Sequence, residues 1–326
     1  MSKLTKFSSE DIISDLPEII MAVILTKLPI RDAVRTSVLS SKWKYQWTTM
    51  EQLVFEENNL CLPDDKKVAE KKLLDFIMGF LLLHDGPIQK FKLSTSYLKK
   101  STAIDQWLRV ISRKNITEIV LDEYGNEWRW KNPRISVPRS IFSFQKLTTL
   151  TLSAFTVEPP LEFQGFPCLK YLELDGVSIT LEVIENLIPV TICFCPLAWR
   201  GDILVKVPVT YDYLKFIEIG CMDYKDMDEV LYVLDLLLQS PNLQELHISS
   251  PDLEEEISGI FGYGEEPDPP HYKTADFDIW ERKCPADFTF KCLKTVKLSY
   301  ISTKHDMEFV KFVLGRSPVL EVISII

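Results

Sequence analysis

From residue 50 onward the chain repeats one pattern, L-x-x-L-x-L, and few folds are open to such a chain. The clearest copies are Leu147/Leu150/Leu152, Leu169/Leu172/Leu174, Leu214/Ile217/Ile219 and Leu243/Leu246/Ile248. Leu293/Val296/Leu298 and Leu320/Ile323/Ile325 continue it. Weaker copies precede it at Ile88/Phe91/Leu93 and Ile116/Ile119/Leu121, and Leu53/Phe55 reads as an opening strand. In each copy the last two apolar positions alternate as in a strand with one buried face. Leu150, Leu172, Ile217 and Leu246 lie 22, 45 and 29 residues apart. A leucine-rich unit takes roughly 20–29 residues, so the long interval predicts a degraded unit hidden within it. Helical stretches fall between the copies: AEKKLLDFIMGFLLL (69–83), DEVLYVLDLLLQ (228–239) and HDMEFVKFVLG (305–315). Strand, turn and helix at this period predict an α/β solenoid, each unit buried only by its neighbours.

Residues 11–50 read as a compact helical unit instead. Asp15 is placed to cap a helix starting near Pro17, where a missing N–H costs nothing. PEIIMAVILTKL runs to Pro29, RDAVRTSVL fits a second helix, and Ser40 or Ser41 is placed to cap a third, KWKYQWTTM. Ile19 through Leu25 is apolar at every position, whereas one apolar stripe satisfies an ordinary surface helix. A unit this small cannot bury that much surface by itself. It requires a partner, either the rest of the chain or another protein.

The net charge is −10, from 47 acidic and 37 basic side chains, which disfavours nucleic-acid binding through the phosphate backbone. Most of the excess sits between Pro251 and Phe290, where eleven acidic residues face three basic ones around turn-forming GYG and EEPDPP. That stretch reads as an acidic linker or insertion. Seven scattered cysteines in a chain of 326 residues are no disulfide framework. No segment has the apolar length of a signal peptide or a membrane span. Together these predict a reduced, intracellular protein, cytoplasmic, nuclear or both, without membrane contact.

Catalysis finds no support. The four histidines (84, 247, 271, 305) are isolated, and Cys193 and Cys195 form a C-x-C with no further ligand close in sequence. Nucleophile elbow, Walker loop and dinucleotide fingerprint are all missing. The sequence predicts a non-catalytic chain with neither cofactor nor metal.

These motifs together carry a resemblance. DIISDLPEIIMAVILTKLPIRDAVRTSVLSSKWKYQW resembles the F-box of plant F-box/leucine-rich-repeat proteins, with Leu16-Pro17, Leu28-Pro29, Arg31-Asp32-Ala33-Val34, Ser37-Val38-Leu39-Ser40, Trp43 and Trp47 in place. LTTLTLSAFTVEPPLEFQGFPCLKYLELDGVSI is similar to the family's repeats. CLKTVKLSYISTKHDMEFVKFVLGRSPVLEVISI resembles its C-terminal FBD segment, with Trp280 at the position where a tryptophan often precedes it. Two departures stand out. Residues 186–208 keep only Cys195-Pro196-Leu197 of an expected Cys-Pro-Leu-Leu turn, and the chain stops at Ile326 within the last predicted strand, where the family usually continues. The expected organisation is a three-helix F-box at 9–50 and an open arc of repeats at 51–250, degraded near 186–208. An acidic linker at 251–286 and an FBD-like terminal repeat at 287–326 follow.

The resemblance implies the substrate receptor of a Skp–cullin–F-box ubiquitin ligase. A Skp-family linker protein, and through it a cullin, would dock on Leu16, Pro17, Ile20, Ile24, Leu28, Pro29, Val34, Val38, Leu39, Trp43 and Trp47. The alternative is a repeat scaffold whose N-terminal helices only cap the solenoid. Residues between the repeat leucines point to the opposite face: Lys92, Glu118, Asp122, Thr149, Thr151, Tyr171, Glu173, Asp175, Phe216, Glu218, Glu245, His247, Thr295 and Lys297. Its middle (Tyr171, Glu173, Asp175, Phe216, Glu218, Glu245, His247) is acidic with two aromatics, which suits a target segment carrying Lys or Arg; the other reading is a solvated face that keeps the protein soluble. A receptor needing a hormone would want a deep pocket and, for an inositol-phosphate cofactor, a basic floor; the repeats predict an open arc, and its face is acidic. The loop 122–134, with Trp128 and Trp130, is a second candidate edge.

Overall fold

The computed structural model describes residues 13, 15–97, 101–123, 135–178, 187, 191–194, 210–250, 279–301 and 303–325. The expected edge at Trp128 and Trp130 lies outside them, as does most of the acidic stretch.

Every L-x-x-L-x-L copy becomes a strand. They are β1 (Gln52–Glu56), β2 (Lys90–Ser94), β3 (Glu118–Asp122), β5 (Thr149–Ser153), β7 (Tyr171–Asp175), β8 (Thr191–Phe194), β9 (Phe216–Ile219), β10 (Glu245–Ser249), β11 (Thr295–Ser299) and β12 (Val322–Ile325). They form one ten-stranded parallel sheet whose order follows the chain. β8 is the hidden unit: it pairs with β7 and β9, Ile192 aligning with Leu172 and Ile217. Leu53, Phe91, Ile119, Leu150, Leu172, Ile192, Ile217, Leu246 and Val296 form one buried row across the sheet. A short second pair, β4 (Ile135–Ser136) with β6 (Phe155–Thr156), was not legible in the pattern.

Three of the intervening helices match the expected stretches within a few residues: α3 (Lys66–Leu83), α5 (Met227–Leu238) and α7 (Lys304–Arg316). α3 starts at Asp65, whose carboxylate accepts from the backbone N–H of Lys67 and Val68, and buries Ala69, Leu73, Ile77, Phe80 and Leu81. α4 (Ser101–Ile111) was not singled out. α7 opens with a capping box between Thr303 and Asp306. The chain turns sharply after several strands, where Ala154, Gly176 and Tyr300 take left-handed backbone angles. Of these, only Gly176 does so without a Cβ to strain.

The acidic stretch expected as a linker to residue 286 ends earlier in the structure. α6 (Ile279–Lys283) is already part of the core, with Trp280 packed against Phe309 at 4.7 Å and Phe312 at 5.6 Å. Arg316 ties the following turn down by donating to the carbonyls of Pro285, Ala286 and Phe288.

At the N-terminus, α1 (Glu18–Thr26) and α2 (Ile30–Arg35) form as expected, but two details differ. Asp15 does not cap α1; Pro17 holds the N-cap position and no side chain caps it. The third expected helix is a run of tight turns ending in a 3₁₀ helix, Gln46–Thr49. Here Trp43, Gln46, Thr48 and Met50 each donate to the carbonyl three residues back. The hydroxyls of Thr48 and Thr49 return to Tyr45 and Gln46, competing with α-helical bonding.

The helical unit is packed onto the first repeat. Trp47 meets Phe80 at 4.9 Å, and His84 Nε2–H donates to the Met50 carbonyl at 2.8 Å. Asp85 N donates to Thr48 O at 2.9 Å, and Gly86 sits where an added Cβ would lie 3.0 Å from the Thr49 backbone. One hydrophobic cluster runs unbroken from Met21 to Val313. Among the described residues, no helix is long and apolar enough to cross a membrane.

Candidate functional site

Two surfaces hold the residues singled out by the sequence. The first is the N-terminal unit. α1 buries Met21 and Leu25, and Leu16, Ile24, Leu28 and Val34 pack half-buried against the core. A 3.6-residue period that buries positions 21 and 25 turns positions 19 and 23 to the opposite side. Ile19 is accordingly 77% exposed, and Ile20 and Val23 are exposed beside it. After α2, Val38 is 87% exposed and Leu39 about half, while Ile13 and Tyr45 bring the exposed large apolar residues of this unit to seven. Pro17 and Pro29 are exposed where they open α1 and α2.

Trp43 and Trp47 correct the sequence reading. Expected as docking anchors, they are 2% and 8% exposed. The Trp43 indole donates Nε1–H to the Ile13 carbonyl at 3.0 Å, and Lys42 closes the same seam by donating to Leu16 O at 2.7 Å. Trp47 belongs to the cluster of Phe55, Phe76 and Phe80. Two large rings four residues apart are consumed in fastening the unit together and to the first repeat. The surplus apolar surface is aliphatic, with Tyr45 added. Ile19 and Val23 were readable in the uniform apolar run; Ile13 and Tyr45 had no periodic signal.

The second surface is the sheet face opposite the buried row, and the register brings the expected residues together in rows. One row runs Gln52, Lys90, Glu118, Thr149, Tyr171, Thr191, Phe216, Glu245, Thr295; the next runs Val54, Lys92, Val120, Thr151, Glu173, Cys193, Glu218, His247, Lys297. Asp175 follows Ser153 in a third row. In the first repeats the charges cancel: Lys90 pairs with Glu118 at 2.6 Å and Lys92 with Glu56 at 2.5 Å. The middle repeats differ. Glu173 accepts from the Thr151 hydroxyl at 3.1 Å and the Tyr171 hydroxyl at 3.4 Å. Neither Glu173 nor Glu218 forms an ion pair with a cation among the described residues, and Glu245 has only His247, at 3.8 Å.

Cys193, not singled out for this face, lies between these carboxylates. Burial, with the charges of Glu218 and Glu173, pushes its thiol up to about 12, so it stays protonated beside them. The same causes raise Tyr171: burial first, then Glu173. His247 sits edge-on to Phe216 at 4.7 Å, and burial, aided by Lys297, lowers its pKa. Among the described residues no group of His, Cys, Asp and Glu has the arrangement of a metal site. Two open clefts lie beside the N-terminal unit: one of about 260 Å³ between Pro29 and Gln52, the other of about 250 Å³ between Arg31 and Phe76.

The structure thus joins a helical unit with unspent apolar surface to a parallel sheet of leucine-rich units, and the comparisons say which class of protein this is. The F-box domain model matches residues 13–54, and the model described as "FBD-associated F-box protein At5g56370, LRR repeats" matches residues 104–193. The chain is 34% identical to F-box/FBD/LRR-repeat protein At1g13570 of Arabidopsis thaliana, over 97% of this chain and 91% of that protein. That alignment spans 401 positions against 326 residues here, so the relative carries segments without a counterpart in this chain. Putative F-box/LRR-repeat protein At3g49150, from the same plant, is 33% identical over 68% of this chain and 35% of its own length. F-box/FBD/LRR-repeat protein At2g04230, also from Arabidopsis, is 28% identical over 59% and 42%. The chain belongs to the plant F-box/FBD/LRR-repeat family. Membership suggests a substrate-adaptor role in a ubiquitin ligase; F-box domains generally bind Skp-family proteins, and such adaptors are typically non-catalytic.

Proposed function

We propose that this chain is the substrate-recognition subunit of a Skp–cullin–F-box ubiquitin ligase. It docks a Skp-family linker, and through it a cullin, by the F-box, and it holds a target protein on the exposed sheet face of an open arc of repeats. It accelerates ubiquitin transfer by raising the effective concentration of the target near the loaded enzyme, so it needs no catalytic group of its own. Cytoplasm, nucleus or both are the compartments this role requires.

One observation carries the reading. The N-terminal unit is already fastened to the first repeat through Trp47, Phe80 and His84, yet Ile19, Ile20, Val23, Val38 and Leu39 remain outside. Fully burying one such side chain stabilises by about 1.5–3 kcal/mol, so a partner covering several of them gains a specific interface. The alternative is a scaffold whose F-box region only caps the solenoid. It accounts for the Trp47–Phe80 contact, but a cap has no use for an 87% exposed Val38.

The test is co-expression with a Skp-family linker, comparing wild type with an Ile19→Asp/Val38→Asp variant. Co-purification of wild type, lost in a variant whose circular dichroism is unchanged, supports docking. A wild-type chain that is folded and soluble alone and never retains the linker refutes it.

A further inference from the structure

The sheet face is divided electrostatically, and the division identifies the chemistry of its partner. In the first repeats each lysine already has a carboxylate: Lys90 with Glu118, Lys92 with Glu56. Asp122, at their edge, accepts from the Ser94 hydroxyl at 2.6 Å. In the middle repeats Glu173 accepts only from hydroxyls, Glu218 lies between the Cys193 thiol and His247, and Glu245 faces the same histidine, whose burial favours the neutral ring. Lys297, one strand beyond His247, bounds the stretch.

Carboxylates alone would make a solvated surface. What distinguishes this one is the row beside them. Tyr171 and Phe216 are half-buried on the same face, in register with each other across Thr191, one pleat from Glu173 and Glu218. A carboxylate beside an aromatic wall suits a long cationic side chain, which lays its apolar stem on the ring and its charged head on the acid. A phosphorylated or acidic segment would meet uncompensated like charge, and a wholly apolar one would strand the carboxylates.

Building on the ligase reading, we infer that the face formed by β7, β8, β9 and β10 docks an extended basic segment of the target protein, with two Lys or Arg side chains seated on Glu173 and Glu218. The spacing follows from the sheet. Glu173 and Glu218 lie two strands apart, roughly 10 Å at about 4.8 Å per strand. A polyproline-type segment crossing the strands returns to the same side every three residues and rises about 3.1 Å per residue, so cations at i and i+3 lie about 9 Å apart and match. The thiol of Cys193, held neutral between the two acids, adds no charge to this seat.

The experiment is fluorescence anisotropy of a fluorescein-labelled Arg-Pro-Pro-Arg peptide titrated with the full chain, purified alone and after co-expression with a Skp-family linker. The controls are Gln-Pro-Pro-Gln and Glu-Pro-Pro-Glu peptides. Saturable binding of the arginine peptide alone is expected, weakened about tenfold or more in Glu173→Gln/Glu218→Gln and weakened by added salt. Phe216→Ala also weakens it, whereas Glu162→Gln, an exposed acid outside the strands, leaves it unchanged. Equal binding of the glutamine peptide overturns the proposal, as does an equal loss in Glu162→Gln, which reports bulk charge alone. Linker retention is read on the same preparations. Peptide binding without linker retention would overturn the ligase reading while keeping the basic-segment face, and the reverse outcome would overturn the face alone.

Discussion

Trp43 separates the structure from the sequence reading most cleanly, because one substitution distinguishes a docking anchor from a core side chain. The indole is 2% exposed, and its Nε1–H bonds the Ile13 carbonyl at 3.0 Å. Truncating a buried Trp to Ala costs about 3–5 kcal/mol, and the orphaned carbonyl adds to that only where water cannot reach it. Against a domain stability of about 5–15 kcal/mol, Trp43→Ala removes a large fraction. Trp43→Phe keeps most of the packing and loses the hydrogen bond, about 1 kcal/mol. Val38→Ala, at an exposed site, stays within about 0.5 kcal/mol of wild type. Urea unfolding followed by circular dichroism ranks the three by midpoint: Ala far below Phe, Phe slightly below Val38→Ala. A Trp43→Ala chain with a wild-type midpoint that no longer retains the linker would refute the burial argument and restore Trp43 as an anchor.

Other expectations concern titration and caps. His84 is 4% exposed, its Nδ1 has no partner among the described residues, and burial holds its pKa below the ordinary 6.5. The unfolded chain therefore binds the proton first, so this contribution to stability is present above about pH 6.5 and lost as the pH falls below it. His84→Asn should flatten that slope in pH-dependent melting. Glu229 has the opposite sign: burial pushes its carboxyl up to about 8 from an ordinary 4.5. Folding favours the protonated form, stability falls as the pH rises from the unfolded value through 8, and Glu229→Gln should melt higher than wild type above pH 8. Asp65→Ala removes the acceptor of two backbone N–H groups at the start of α3 and should cost about 1 kcal/mol, read as a lower urea midpoint.

The strands were legible because a side-chain period of two with leucine at fixed intervals leaves one face to bury, and that includes β8, predicted only from an interval too long for one unit. What could not be read was which of several apolar residues a neighbouring element would cover. Trp43 and Val38 look alike as apolar residues in a short helical unit. Phe80, 33 residues beyond Trp47, packs against it, and Ile13 fixes the Trp43 indole, while Val38 stays 87% exposed among the described residues. The third F-box helix differs locally, since the backbone N–H groups of Trp43, Gln46, Thr48 and Met50 bond three residues back, which is the tighter 3₁₀ pattern and not the α-helical one. On the target face the charges were legible but their cancellation was not: Lys92 and Glu56 are distant in sequence and become partners only through the parallel register.

The central claim is that the exposed aliphatic surface of the F-box is a docking surface for a Skp-family linker. Calorimetric titration of the purified linker into the full chain tests it most directly. The account predicts saturable binding with a negative heat-capacity change, as apolar burial requires, and a loss of at least about tenfold in Val38→Asp. A folded chain that gives no binding heat at any temperature, or a Val38→Asp chain that binds as wild type does, would contradict it.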